Sequence, residues 1–305
     1  MNYKKITLRR GKEESLKRFH PWVFSGAIAH ADPAIEEGDL VSVFGSDGTH
    51  IGNGHYQVGS IMVRILAWGD TAIDEAFYSD RLVQAWRVRQ ALGLMRADNN
   101  SYRLVHGEGD FLPGLVVDVY GSTAVIQAHS PGMHFARKVI AQVLVDLPGA
   151  NINNVYYKSE TTLPYKAHLD PENQYLIGSF DTDVAMENGL QFHVDWLRGQ
   201  KTGFFVDQRE NRALLERFSQ GRRVLNMFCY TGGFSFYAMR GGAQLVHSVD
   251  SSGKAVMLTE RNVGLNFPGD ERHKAFAEDA FDYLDRMERD TYDLIILAPP
   301  AFAKH

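Results

Sequence analysis

Hydrophobic and polar positions alternate in short runs over the first part of the chain. Residues 6–10 (ITLRR), 38–44 (GDLVSVF) and 61–68 (IMVRILAW) carry apolar and β-branched side chains in strand-like patterns, with Asp47-Gly48 as a turn among them. The period then changes: Phe77, Leu82, Trp86 and Leu92 are among the apolar positions of a helix predicted over about 73–94. RLVHGEGDFLPGLVVDVYG (103–121) reads as strand, glycine- and proline-rich turn and strand, and STAVIQAHS (122–130) as a third strand. A helix over 133–147 and a strand at NNVYYKS (153–159) follow, and VAMENGLQFHVDW (184–196) predicts a hairpin turned at Asn188-Gly189.

From Asp207 strand and helix alternate regularly. DQRENRALLERF (207–218) is helical in pattern, RRVLNMF (222–228) is a buried-type strand, and CYTGG (229–233) is a turn. FSFYAMRGG (234–242) is a helix and AQLVHSVD (243–250) a strand. A helix over about 252–266, a strand near Ala275, a helix over 280–288 and the strand YDLIILAPP (292–300) complete the array. This spacing predicts right-handed βαβ units, hence a parallel sheet covered on both faces. The chain is therefore expected to be α/β in class. A small β-barrel over 1–72 precedes a middle α/β domain over 73–185 and the first part of a Rossmann-like sheet over 186–305, with four strands.

Three points of that array coincide at one sheet edge. The first strand ends at Asn226 and enters a turn with Gly232 and Gly233, where a ligand can approach the backbone and the unpaired amides of a helix start. The second ends in Asp250, a carboxylate placed to accept from a ribose diol. The third is followed by Glu278-Asp279-Ala280-Phe281, where an acid can accept from the adenine amine. The turn is not G-x-G-x-x-G, so adenosine binding in a methyltransferase-type sheet fits better than nicotinamide binding.

Composition adds limits. The apolar fraction of 44% with 23% charge suits a soluble globular protein, and no apolar run reaches membrane-spanning length. The basic start has no apolar segment behind it, so no secretory signal is expected. One cysteine, Cys229, excludes an internal disulfide framework and fits a reducing cytoplasm. Its expected role is that of a small packed residue. The chemistry read here calls for no metal. Net charge is −5, yet residues 1–20 hold seven basic side chains against two acidic ones. Arg9, Arg10, Lys12, Lys17, Arg18 and Trp22 are therefore candidate RNA contacts. Trp22 and Phe24 fit two roles, stacking on RNA bases or filling the barrel interior, and the sequence leaves both open.

Several stretches together resemble a known family. HPWVFSGAI (20–28), SYRLVHGEGDFLPGLVVDVYG (101–121), KTGFFVDQR (201–209), NMFCYTGGFS (226–235), SVDSS (248–252) and DLIILAPPAFAKH (293–305) resemble the RlmI-like 23S ribosomal RNA cytosine-C5 methyltransferases. The resemblance implies a PUA domain, a middle α/β domain and a class I methyltransferase domain using S-adenosyl-L-methionine. It also implies large-subunit ribosomal RNA as partner, a cytoplasmic location and a homodimer. By the same resemblance Asn226, Phe228, Tyr230, Thr231, Gly232 and Gly233 hold the methionine part of the cofactor. Asp250 holds the ribose and Asp279 the adenine. Lys201, Thr202, Gly203, Gln208, Arg209 and Pro299 complete the pocket. For two residues of this segment a local role stays open: Asp207 as a helix cap, Arg209 as partner of an acid.

Two departures bear on catalysis. Ala298 stands where the family pattern has an aspartate before Pro-Pro. The thiol that attacks C6 in cytosine-C5 methylation belongs in such families to a segment after the fifth strand, so the nucleophile is expected beyond His305 and the domain is expected to be incomplete. The alternative is a non-catalytic RNA-binding or ribosome-assembly protein that keeps the cofactor pocket. An N6-adenine methyltransferase ranks last, because Ala298 and Ala301 do not supply the polar and aromatic groups that chemistry needs.

Overall fold

The computed structural model describes residues 3–164, 167–169 and 171–299. They form two compact units, one of Met1–Arg96, Ser101–Asp181 and Trp196–Arg198, the other of Ala97–Asn100, Thr182–Asp195 and Gly199–His305.

The first unit opens with β1 (Lys4–Leu8), the single helical turn α1 (Glu14–Lys17), β2 (Trp22–Phe24), β3 (Ile28–Ala31), β4 (Leu40–Phe44), β5 (His50–Tyr56) and β6 (Ile61–Trp68). Their order in the sheet is β2-β6-β5-β4-β1-β3. β2 and β3 are the two ends of this sheet, yet only Ser25–Ala27 separate them. A tether that short forces the sheet to curl on itself. Ile6, Val41, Val43, Val63 and Ile65 fill its interior. β1 lies two residues earlier than expected, because the chain turns at Gly11 (φ 78°) and Lys12 N–H bonds back to Arg9 O at 3.0 Å.

The rest of this unit comprises α2 (Glu75–Ala91), β7 (Ser101–His106), β8 (Leu115–Tyr120), β9 (Thr123–Ala128), α3 (Pro131–Asp146), β10 (Asn154–Tyr157) and β11 (Gln174–Ile177). The sheet order is β11-β10-β9-β8-β7. α3 is the crossover between the parallel pair β9 and β10. It starts at Ser130, whose hydroxyl accepts from Met133 N–H at 3.4 Å, with Pro131 in the first turn. Leu66 and Ala67 of β6 join Leu104, Val117, Ile126 and Leu144 in one core, so the two sheets of this unit share buried surface.

The second unit begins with the hairpin β12 (Val184–Glu187) and β13 (Leu190–His193). Its turn places Asn188 at φ 49° and Gly189 at φ 79°, the pair of left-handed residues that a tight two-residue hairpin needs. Then come α4 (Arg209–Phe218), β14 (Arg223–Met227), α5 (Gly233–Arg240), β15 (Leu245–Asp250), α6 (Gly253–Asn266), β16 (His273–Ala277), α7 (Ala280–Asp285) and β17 (Leu294–Leu297). All pairings among the last four strands are parallel, in the order β16-β15-β14-β17. Strand order reverses beside β14, which makes the crevice at its carboxyl end the natural ligand site of such a sheet.

Candidate functional site

The turn after β14 is built from alternating left-handed residues: Phe228 (φ 55°), Tyr230 (φ 49°) and Gly232 (φ 80°). For the two that are not glycine this costs about 1–2 kcal/mol each, so the surroundings must hold the shape. Cys229 N–H bonds Val249 O at 3.0 Å, and Gly232 N–H bonds Cys229 O at 2.8 Å. From α6, Thr259 Oγ1 donates to Tyr230 O at 2.9 Å and Asn262 Nδ2 to Thr231 O at 3.0 Å. A Cβ on Gly232 would lie 2.6 Å from Thr259 Cγ2, so glycine is required there on two counts. The N–H groups of Cys229, Tyr230 and Gly232 are thus all spent inside the fold, and the start of α5 at Gly233 follows immediately after the turn.

Asp250 ends β15. Its Oδ2 accepts the Tyr230 N–H and its Oδ1 the Ser252 N–H, both at 2.9 Å. Asp250 pairs in register with Ala277 of β16, so Asp279 stands at the same edge one strand away. Asp279 is exposed, and its Oδ1 accepts the Phe281 N–H at 2.8 Å, capping α7. Glu278 is taken by Arg286. Ala298 and Pro299, both exposed, follow β17 on the other side of β14. Pro300, Ala301 and Phe302 lie outside the described residues.

The 201–209 segment meets this loop through Tyr230. The phenol accepts Gln200 N–H at 3.0 Å and donates to Gly203 O at 3.2 Å, while Phe205 packs edge-on against the ring at 5.4 Å. Lys201 is exposed, Thr202 fully buried and Gln208 half-buried, with its Oε1 accepting from Asn211 at 2.9 Å. Of the two roles left open for Arg209, the geometry shows the ion pair: Nε lies 3.4 Å from Oε2 of Glu187. Glu187 is fully buried. It also receives Arg212 through Nε and Nη2, both at 2.8 Å, and Tyr237 OH at 2.9 Å. The N-cap of α4 is Gln208 rather than Asp207, and its side chain makes no capping bond.

Asn226 is likewise turned inward. Its Nδ2 donates to Ser235 Oγ at 2.9 Å, and the chain continues through Ser248 Oγ to His273 Nε2. Cys229 is buried with Sγ 3.8 Å from Thr259 Oγ1, and burial, reinforced by Asp250, pushes its thiol up to about 12. It is a packed residue, as expected, and no thiolate. Sequence reasoning missed Glu187, Arg212, Thr259 and Asn262. For the last two a signal existed: Thr259, Asn262 and Asn266 recur on one helical face where apolar residues belong.

In the first unit Arg9, Arg10, Lys12, Lys17 and Arg18 are all exposed. Arg9 Nε donates to Ile28 O at 3.0 Å and Lys17 Nζ to Glu14 Oε1 at 2.8 Å. Trp22 and Phe24 are not barrel core. Val23 between them is, whereas Phe24 is 47% exposed and the two rings meet edge-on at 6.2 Å. With Lys12 and Gly26 they line a hollow of about 280 Å³.

Residues 134–305 match the family model of S-adenosylmethionine-dependent methyltransferases, and residues 6–68 match a PUA-like domain. The chain is 37% identical to ribosomal RNA large subunit methyltransferase I of Aeromonas hydrophila, over 98% of the chain and 76% of the relative. It is 36% identical to the enzyme of the same name from Tolumonas auensis, over 98% and 77%. Among solved structures it superposes on a SAM-dependent methyltransferase from Streptococcus mutans with TM-score 0.81 at 22% identity, covering 97% of this chain and 77% of that one. A methyltransferase complexed with SAH gives TM-score 0.82 at 23% identity, covering 98% and 77%.

Proposed function

This chain belongs to the S-adenosylmethionine-dependent methyltransferases, in the group of ribosomal RNA large subunit methyltransferase I, and from that premise we propose how its residues serve that activity. The Phe228–Gly233 turn receives the methionine part of the cofactor. Asp250 accepts from the ribose hydroxyls and Asp279 from the adenine amine. The observation that carries this reading is the Asp250 carboxylate. Two backbone N–H groups fix its plane at the strand end, and each oxygen keeps a lone pair for a further donor. The set suits an adenosine: a carboxylate at a strand end beside a glycine turn that opens a helix.

When bound, S-adenosyl-L-methionine supplies a methyl group activated by a sulfonium. The chain's part is to bind and orient. Tyr230 ties the 200–205 segment to the turn, so Lys201, Thr202 and Gly203 border the same site, with Gln208 and Pro299 at its margin. Asn226 and Arg209 act behind it, through Ser235 and Glu187, as positioning residues.

The substrate in this reading is large-subunit ribosomal RNA, the molecule named for the relatives, and the cytoplasm is where the reaction takes place. Among the described residues no helix is long and apolar enough to cross a membrane. Arg9, Arg10, Lys12, Lys17, Arg18 and Trp22 form the RNA-facing patch. We infer cytosine C5 as the target atom from the family resemblance, a transfer that needs an attacking thiol these 305 residues do not supply. The thiol that this chemistry requires is not Cys229, whose sulfur is buried and protonated at neutral pH, and Ala298 supplies no acceptor beside the base. The relatives' shared name favours an enzyme over a non-catalytic assembly protein. Calorimetric titration with S-adenosyl-L-methionine tests the pocket, transfer of labelled methyl to a 23S transcript tests the chemistry, and sedimentation tests the homodimer.

A further inference from the structure

The GEGDFLPGL stretch takes no part in the parallel-sheet site, yet it is anchored on both sides of one residue. It joins β7 to β8. Before that residue, Asp110 is gripped by the guanidinium of Arg89 through Nη1 and Nη2, the latter at 2.8 Å, and accepts His106 N–H at 2.6 Å. Arg89 is itself fixed by Arg103 O at 2.9 Å. After it, Leu112 is fully buried, with its N–H on Gly107 O at 3.0 Å. Between the anchors stands Phe111, left-handed at φ 57° and 51% exposed. A side chain at positive φ is strained, and a phenyl ring in water forfeits its burial. Glycine would serve the backbone better here. Two unfavourable features held on one residue point to a contact made outside the chain.

The neighbouring charges say what kind of contact. Arg81 lies 5.2 Å from the ring centroid of Phe111 and 5.2 Å from that of Phe77. Arg64 is the register partner of Trp22, and its Nε and Nη1 are shut off from solvent without a hydrogen-bond partner. Among the described residues neither Arg64 nor Arg81 has an ion pair, whereas Arg89, Arg103, Arg212, Arg240, Arg272 and Arg286 each engage a carboxylate. Glu108 links the parts: its carbonyl accepts Phe111 N–H at 3.2 Å and its Oε1 accepts Trp22 Nε1–H at 2.8 Å. Arg64 is withdrawn from water with Glu108 as a neighbouring acid, and Arg81 is held between two rings near Asp80. Neither makes an ion pair with these acids, so both keep capacity for an anionic acceptor from elsewhere.

We propose that Trp22, Arg64, Arg81 and Phe111 form a contact for an unpaired stretch of RNA, the aromatic rings stacking bases while Arg81, with Arg64 behind, supplies positive charge beside the flanking phosphates. Duplex RNA hides its base faces, so a loop or single strand is the matching partner. This rests on the ribosomal RNA reading above and extends the N-terminal patch from Trp22 to Arg64, Arg81 and Phe111.

The test is fluorescence anisotropy of the full chain with a labelled 23S transcript fragment, alongside thermal melts. Phe111→Gly relieves the backbone strain, so its Tm should hold or rise, while RNA affinity falls by about tenfold, within the range for one lost stack. Phe111→Tyr should bind like the unaltered chain. Arg64→Gln with Arg81→Gln should weaken binding and flatten the slope of log K on log salt by about 1.4, the value for two phosphates of a single strand. Variants that bind as the unaltered chain does overturn this inference alone. Absence of binding by the unaltered chain overturns the ribosomal RNA reading together with it.

Discussion

The backbone N–H of Tyr230 donates to Oδ2 of Asp250 at 2.9 Å, joining the turn after β14 to the end of β15. One carboxylate thereby shapes the turn and stands in the crevice beside it. Asp250→Ala is expected to weaken S-adenosyl-L-methionine binding by about tenfold or more. Stability should fall by only about 1–3 kcal/mol, since the Tyr230 and Ser252 N–H groups both lose their acceptor but Ser252 is open to water. Calorimetry and urea denaturation separate the two effects.

Gly232 offers a second handle on the turn. Gly232→Ala puts a methyl against Thr259 and forces an alanine to positive φ, at a cost of roughly 1–3 kcal/mol. Adding Thr259→Ser removes the Cγ2 clash but not the backbone strain, so the double variant should recover part of the stability. Full recovery would show that φ at 232 is not constrained.

The buried acid Glu187 holds Arg209, Arg212 and Tyr237. Glu187→Ala leaves two arginines without their counter-charge and should cost roughly 3–5 kcal/mol in denaturant unfolding. A loss below about 1 kcal/mol would mean that water replaces the carboxylate.

Burial pushes His55 and His273 down to about 4. The unfolded chain takes up both protons below about pH 6.5, while the folded chain refuses them until near pH 4. Stability should therefore fall as pH drops through this window, by up to roughly 3 kcal/mol for each histidine, and these two groups add no further loss below it. His55→Gln should flatten that acid limb in melts taken between pH 7 and 4; an unchanged limb would assign it to other groups.

How much of this was legible depended on whether a residue's role is local. The β14–β17 array follows from its runs of apolar residues, and Asp250 is visible because the strand LVHSVD ends on it. β5 (HIGNGHY) escaped because two glycines depress its strand character. They are there because a Cβ on Gly54 would meet Arg64 O at 2.1 Å and one on Gly52 would meet Ala67 O at 2.4 Å. β2 and β3 are too short to show a period. Glu187 reads as an ordinary polar residue beside the Asn188-Gly189 turn, since its partners lie 22 and 25 positions further along, at Arg209 and Arg212. Asn226 and Arg209 have the right residue types at the right place in the sequence, but the fold spends both on internal contacts.

The central claim is that these residues form a cofactor pocket ordered by Asp250, and its most direct measurement is calorimetric titration of the chain with S-adenosyl-L-methionine. Saturable single-site binding that is lost or strongly weakened in Asp250→Ala, with the fold retained, is the expected result. No binding by the unaltered chain, or equal binding by both proteins, would contradict it.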